Sequence, residues 1–385
     1  MIRFDLEREL GCTVEQAWPL VAEPALMNLW STARIEAIDP GDGGHPGGTG
    51  AIRRVHVPGT PRAVLTEVIE RSAFPSRLHY RVIAGAPIRH HQGVITLDPT
   101  PRGCHLRWQV EIDFLVPGLG LVVERSLKRG LDTSLDRLVK IASAPLVFAP
   151  MPPPPTRDLD ESIEALASLR DGVDAITASQ RAIADRLLGD DDDRGHFTRV
   201  YEYVTEGITI AADDDRFDHP GWILRLVPVF HGMFATNLAR RLGKSPGEVE
   251  PHWARAFAIT EGARARRKSR FEAAMLAVFA GMRAHIEGDL PRTLATVYRH
   301  YAGRCDYVRF RPDYLRMAQV FTAAGDRFMA SWPRRTWTPR ARFFDAVTPD
   351  ALRHQLIDRT FYPITRERRK AFERGQALAR QPAPG

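Results

Sequence analysis

Residues 118–142 read GLGLVVERSLKRGLDTSLDRLVKIA, and this stretch decides the architecture of the first part of the chain. Leu127, Leu131, Leu135, Leu138 and Ile141 recur at intervals of three and four, which lines one side of an α-helix with apolar groups. A single apolar stripe needs an apolar surface to cover it. The residues upstream supply one with the other period. Ile2, Phe4 and Leu6 alternate with polar neighbours, and strand-like runs follow near 33–38, 51–57, 62–71, 77–84, 90–97 and 104–114. Pro, Gly, Asp or Ser turns separate them, and a GDGGHPGGTG loop fills 41–50. Short consecutive strands predict an antiparallel meander. Thr13-Val14-Glu15-Gln16 fits a capping box, so a short helix carrying Ala17, Trp18 and Val21 is expected to start there and stop near Pro24. The sum is an α+β unit in which one long helix lies on a curved sheet and encloses a cavity.

The order strand, short helices, strands, long helix is that of the helix-grip fold. Residues 1–142 resemble the polyketide cyclase/dehydrase and lipid-transport family of the START-like superfamily. The residues that carry the resemblance are Thr13 to Trp18, Trp30, Gly48 to Arg53, the strand pair Glu67 to Tyr80, and Gly103 to Trp108. The resemblance implies a cavity for a hydrophobic or aromatic small molecule, polyketide- or lipid-like. Such a wall is mostly apolar with a few aimed polar groups. Trp30, Arg53, Tyr80 and Trp108 are the ligand-binding candidates, and His90, His91 and Glu111 are the candidates for acid–base work. His90 and His91 are adjacent, so in a strand they face opposite sides and at most one can line the cavity. Ordinary core packing accounts equally for Tyr80 and Trp108, and a strand-end position for the histidines.

After Ser143 the sequence reads APLVFAPMPPPPT at 144–156. Proline at this density favours extended polyproline geometry and forbids helix. It divides the chain into a first domain at 1–143, a linker at 144–157 and a separate all-α bundle at 158–385. Helical runs are expected at 161–188 with a break at Asp171-Gly172, then 197–210, 221–242, 251–263, 271–285, 292–303, 313–329, 338–346, 348–359 and 364–379. No fixed repeat period emerges, so a bundle is expected and not a solenoid.

Phe279 to Pro291 stands out here, with Ala284-His285-Ile286 and Asp289-Leu290-Pro291 at its centre. With Phe197 to Thr205 and Phe217 to Trp222, it resembles a bacterial all-helical family of uncharacterised function marked by Ala-His-Ile-x-x-Asp-Leu-Pro. Glu287 stands where that pattern has Asn. Three readings of the block compete, one of them a polar network that holds no metal. His285 and Asp289 at i and i+4 could hold a divalent transition metal on one helix face, with His231 and Glu202 as distant ligands. Alternatively Gly288 stops one helix and Asp289 caps the next, in which case the i,i+4 geometry fails.

The basic residues number 54 against 47 acidic ones, and only five of the basic residues are Lys. Such an Arg skew is a coding-composition effect, and acidic runs at 190–193 and 213–215 answer the Arg clusters, so no nucleic-acid partner is expected. Three scattered cysteines, Cys12, Cys104 and Cys305, form no CxxC pair and indicate no disulfide framework. No apolar run reaches the ~18 residues of a membrane span, and a cytoplasmic location is expected. The oligomeric state stays open. Three functions compete: a small-molecule-binding cyclase or dehydratase, a metal-dependent hydrolase or oxidase in the helical part, and a non-enzymatic carrier or interaction protein.

Overall fold

The computed structural model describes residues 1–57, 64–116, 118–144, 159, 161–265, 269–348 and 362–381. The proline tether and the expected helix at 348–359 lie outside these residues, apart from single positions at their edges. The chain divides into two compact units. Met1–Asp158 with Gly303–Pro312 form the first, and Leu159–Ala302 with Asp313–Gly385 form the second.

The first unit is one sheet of seven strands. These are β1 (Ile2–Leu10), β2 (Arg34–Asp39), β3 (Ile52–His56), β4 (Val64–Ala73), β5 (Arg77–Ala84), β6 (Ile88–Thr100) and β7 (Gly103–Phe114). Their order is β1-β7-β6-β5-β4-β3-β2, every pair antiparallel. The first two strands therefore sit on opposite edges, and the chain must cross the sheet between them. It does so through α1 (Val14–Ala22) and α2 (Pro24–Met27). The predicted capping box starts α1: Gln16 N–H donates to Thr13 Oγ1 and Thr13 N–H donates to Gln16 Oε1 at 3.1 Å. The predicted long helix is α3 (Leu119–Ala142), with Leu135, Leu138 and Ala142 buried and Leu127, Leu131 and Ile141 half-buried against the same core. This is the helix-grip architecture that the two periodicities predict.

The glycine-rich loop at 41–50 has a packing partner far along the chain. Asp42 Oδ1 accepts from the Asp306 N–H at 2.8 Å, Asp306 Oδ2 accepts from the Gly43 N–H at 2.9 Å, and Arg311 donates to the Gly50 carbonyl at 2.5 Å. Gly50 has φ +85°, and a Cβ there would meet the Val308 carbonyl oxygen at 1.9 Å. Gly50→Ala is expected to destabilise the first unit by about 1–3 kcal/mol through overpacking and left-handed strain, read as a lowered thermal midpoint.

The second unit is helical throughout its described residues. Its elements are α4 (Ile163–Gly189), α5 (Arg194–Asp213), α6 (Pro220–Arg241), α7 (Pro251–Ala265), α8 (Arg270–Ala284), a π-helical turn (His285–Asp289), α9 (Leu290–Tyr298), α10 (Arg311–Ala330, from Asp313 onward in this unit), α11 (Pro339–Val347) and α12 (Ile364–Ala379). Helix α4 runs unbroken through Asp171-Gly172, which corrects the expected break. A Cβ at Gly172 would meet nothing within 4 Å, so the exposed glycine lowers helix propensity without ending the helix. Among the described residues no helix is long and apolar enough to cross a membrane.

Candidate functional site

Alternation along the strands decides which groups face α3. Trp108 pairs with Leu6 and Ile95, and His91 pairs with Ile112, so all of these share the inner face. His91 is buried there, its Nδ1 accepting from the Val82 N–H at 3.3 Å and its ring 5.6 Å from that of Tyr80. Tyr80 lies opposite Gly93, where a Cβ would fall 2.1 Å from the phenol ring; the missing side chain is what admits it. Tyr80 Oη accepts from Trp108 Nε1 at 2.9 Å, and Trp30 packs edge-on to Trp108 at 6.0 Å. Trp30 Nε1 donates to the Leu20 carbonyl at 2.8 Å.

Arg53 completes this inner face. Its guanidinium lies 4.5 Å over the Tyr80 ring and donates to Glu67 Oε2 at 2.6 Å, with both side chains buried. Glu67 was not among the sequence candidates, although its place opposite Arg53 in the β3–β4 register follows from the strand pairing. Burial pushes the Tyr80 phenol well above its usual range, with the Glu67 carboxylate adding to it. Burial lowers the His91 imidazole, and the Arg53 charge adds to that while Glu67 opposes it.

Two expected acid–base residues are elsewhere. His90 pairs with Asp113 and Glu111 with Gln92, on the outer face of the sheet. Glu111 there accepts from Arg3 at 3.0 Å with His90 at 4.0 Å, and both are substantially exposed. Their expected place in the cavity is corrected by the two-residue side-chain period: once His91 faces in, its neighbour faces out.

The second unit holds a cluster that is buried and polar. The helix does not stop at Gly288. A π-helical turn carries it from α8 into α9, with the Leu290 N–H reaching the His285 carbonyl. The capping reading is thereby overturned. Asp289 is helical, makes no capping bond, and meets His285 across the turn. Asp289 Oδ2 accepts from Trp253 Nε1 at 2.9 Å and contacts His285 Nδ1 at 2.8 Å. Its Oδ1 contacts His252 Nε2 at 2.9 Å and accepts from Arg292 at 2.6 Å. Gly288 gives room for this, since a Cβ there would lie 2.4 Å from the His252 ring. π-turns concentrate at functional sites.

Burial alone would raise the Asp289 carboxyl. The hydrogen bonds from His252, His285 and Arg292 outweigh it and hold the group well below the usual carboxylate range. Burial also lowers the His285 imidazole, against the pull of Asp289. Phe230 stacks on His285 at 3.3 Å and 5°, and Tyr201, Phe197, Phe234 and Trp253 surround it.

The distant ligands expected for a metal are not drawn into this set. Glu202 is buried but held by Arg181 at 2.7 Å and by Arg199, which already neutralise it. His231 contacts Gln180 at 3.4 Å, and burial lowers its imidazole to about 4. Among the described residues, the groups whose ligand atoms do lie within 4.8 Å of one another are Glu250, His252 and Asp289. Arg292 donates to both carboxylates of that trio, so a guanidinium already occupies part of the space between them. Glu250, His252, Trp253 and Arg292 were absent from the sequence candidates. Only the i,i+3 spacing of Asp289 and Arg292 was a local signal.

Residues 173–384 match the family of unknown function DUF5995. The chain belongs to that family. Residues 1–142 match the polyketide cyclase/dehydrase and lipid transport family, so a DUF5995 chain here carries a ligand-binding helix-grip domain in front of its helical part. Among solved structures, protein MLL2253 from Mesorhizobium loti is 18% identical, covering 36% of this chain and 96% of that one at TM-score 0.30. Protein CV1439 from Chromobacterium violaceum is 15% identical, covering 37% and 99% at 0.30. A truncated norcoclaurine synthase from Thalictrum flavum is 20% identical, covering 36% and 91% at 0.29. No curated protein matches the chain.

Proposed function

We propose that the helix-grip unit binds a hydrophobic or aromatic small molecule of polyketide or lipid type and acts on it as a cyclase or dehydratase. The observation that carries this reading is the polar set on the inner face of the sheet. Arg53, Glu67, Tyr80 and His91 are all buried on a face that an ordinary core would fill with aliphatic groups. Ligand pockets carry a few precisely placed polar groups on an otherwise apolar wall, and these orient what the pocket holds. The entrance would lie where β6 begins and β7 ends. There Ile88 and Phe114 are half-buried, Val123 and Leu127 of α3 adjoin the same core, and Val116, Leu121 and Val122 are exposed. Ligand held there in a folded shape would gain most of its rate from positioning. His91, neutral because it is buried and accepting from Val82 at Nδ1, would present its Nε2–H as a donor to a reacting oxygen, and Arg53 and Tyr80 would hold a polar oxygen.

Titration of the whole chain with a polyphenolic ketone and with a fatty acid tests this, followed through tryptophan fluorescence, since Trp30 and Trp108 flank the site. Saturable binding is expected, together with turnover that His91→Gln abolishes without loss of binding. Ligand that binds and emerges unchanged would make the unit a carrier. The absence of saturable binding by folded protein would remove the reading altogether.

One observation favours a second reading, in which the helical unit is a metal-dependent hydrolase or oxidase: the closeness of Glu250, His252 and Asp289. Imidazole and carboxylates suit zinc or iron. Elemental analysis of protein purified without chelator decides it, and a stoichiometric metal is required.

A further inference from the structure

We infer that the helical unit holds an O–H-bearing oxygen, from a water or an alcohol, among Gln180, Tyr201 and His285. The inference is independent of the helix-grip reading. Gln180 Oε1, Tyr201 Oη and His285 Nε2 are each buried with no hydrogen-bond partner among the described residues. The three residues are 0%, 5% and 3% exposed. They come from α4, α5 and the π-helical turn, and they share one neighbourhood. The Tyr201 ring is 4.8 Å from His285 and 6.1 Å from His231, and His231 Nδ1 is 3.4 Å from Gln180 Nε2.

Buried polar groups are almost always paired, so three orphans together call for one shared partner. The donor inventory says what it is. Gln180 Oε1 only accepts. An ionised Asp289 only accepts, so His285 Nδ1 carries the proton between them and Nε2 presents a lone pair. Tyr201 donates. Two acceptors and one donor suit a water, which would make the three bonds usual for a buried one. An alcohol hydroxyl satisfies Tyr201 and one acceptor.

Access would be past α6. Phe230 covers His285, and both Phe230 and His231 are partly exposed. They follow Pro228, which interrupts the α6 hydrogen-bond ladder. Asp289 is then a positioning residue: it fixes the His285 tautomer and so aims the lone pair.

Nitrogen NMR of the full chain labelled at histidine tests the site, with methanol as the alcohol probe. The expected results are an Nδ1–H tautomer at His285 that Asp289→Asn abolishes, and either of two ligand signatures. Cross-relaxation from a long-lived water to the His285 ring identifies water as the occupant. A saturable methanol shift at His285, weakened about tenfold in Tyr201→Phe for the loss of one hydrogen bond, identifies an alcohol. An Nε2–H tautomer in the native protein, or the absence of both signatures while the protein is folded, would overturn the inference.

Discussion

Asp289→Ala is expected to lower the stability of the helical unit by about 3–5 kcal/mol, the cost of breaking a buried, fully hydrogen-bonded charge cluster from one side. The carboxylate is 0% exposed and has four partners on three different side-chain types. Its removal leaves Trp253 Nε1 and the His285 ring nitrogen buried without an acceptor and frees Arg292 from one of its two anchors. Asp289→Asn keeps the volume but turns an NH2 towards two donors, so it is expected to rescue little. Hydrogen exchange of the α8 and α9 amides reports the loss locally, which matters in a chain of two units that need not unfold together. Native-like protection in Asp289→Ala would show that the cluster is not integral to the bundle.

Acid should act on the same cluster from two sides. The Asp289 carboxyl is depressed in the fold, so its contribution is present above the unfolded value of about 3.9 and is lost as pH falls through the folded value. The His285 imidazole is also lowered, so below about 6.5 the unfolded chain takes up a proton that the folded one does not, and stability declines with falling pH. Both effects have the same sign. The helical unit is expected to weaken from mildly acidic pH downward, with the steeper loss below pH ~4.

Arg53→Met is the second large effect, again about 3–5 kcal/mol, because it leaves Glu67 charged and unpaired inside the helix-grip core. It also removes the cation over the Tyr80 ring. The double variant Arg53→Met/Glu67→Leu should recover most of the stability, since two apolar groups of similar volume leave no charge to pair. Ligand binding should not recover with it if Arg53 holds the ligand's polar oxygen. Stability and binding therefore separate in the double variant. Exchange of the β3 and β4 amides measures the first and tryptophan fluorescence the second. Equal loss in the single and double variants would mean that the ion pair is not what the core depends on.

Why were some site residues legible in the sequence and others not? Tyr80, Trp108 and Arg53 could be found because strand periodicity and the family resemblance both point to them, and Trp30, which lies between α2 and β2, through the resemblance alone. His90 and His91 could be found only as a pair of alternatives, since the rule that separates them needs the register to say which faces inward. The pairing of His91 with Ile112 supplies that register. The helical site behaves differently. His285 and Asp289 are four residues apart and were visible, yet a glycine and a proline in the same block argued equally well for a helix end. Local propensity favoured the break, and tertiary packing overrode it. Four hydrogen-bond partners reach Asp289, and those from His252 and Trp253 come from the start of α7, which closes against α8 and the π-helical turn.

The sequence by itself determined the two periodicities, and with them a seven-stranded sheet under one long helix, followed by a helical part. Side-chain period is a local property that one strand or one helix carries in its own residues. Only the tertiary structure decided which His faces the core, that Glu67 pairs with Arg53, and that Glu250, His252, Trp253 and Arg292 meet at Asp289. Those facts depend on contacts between residues up to 42 positions apart, such as Glu250 and Arg292. Burial sets the charge state and the remaining hydrogen-bonding capacity of such groups, and burial is a property of the packed unit, not of any one segment.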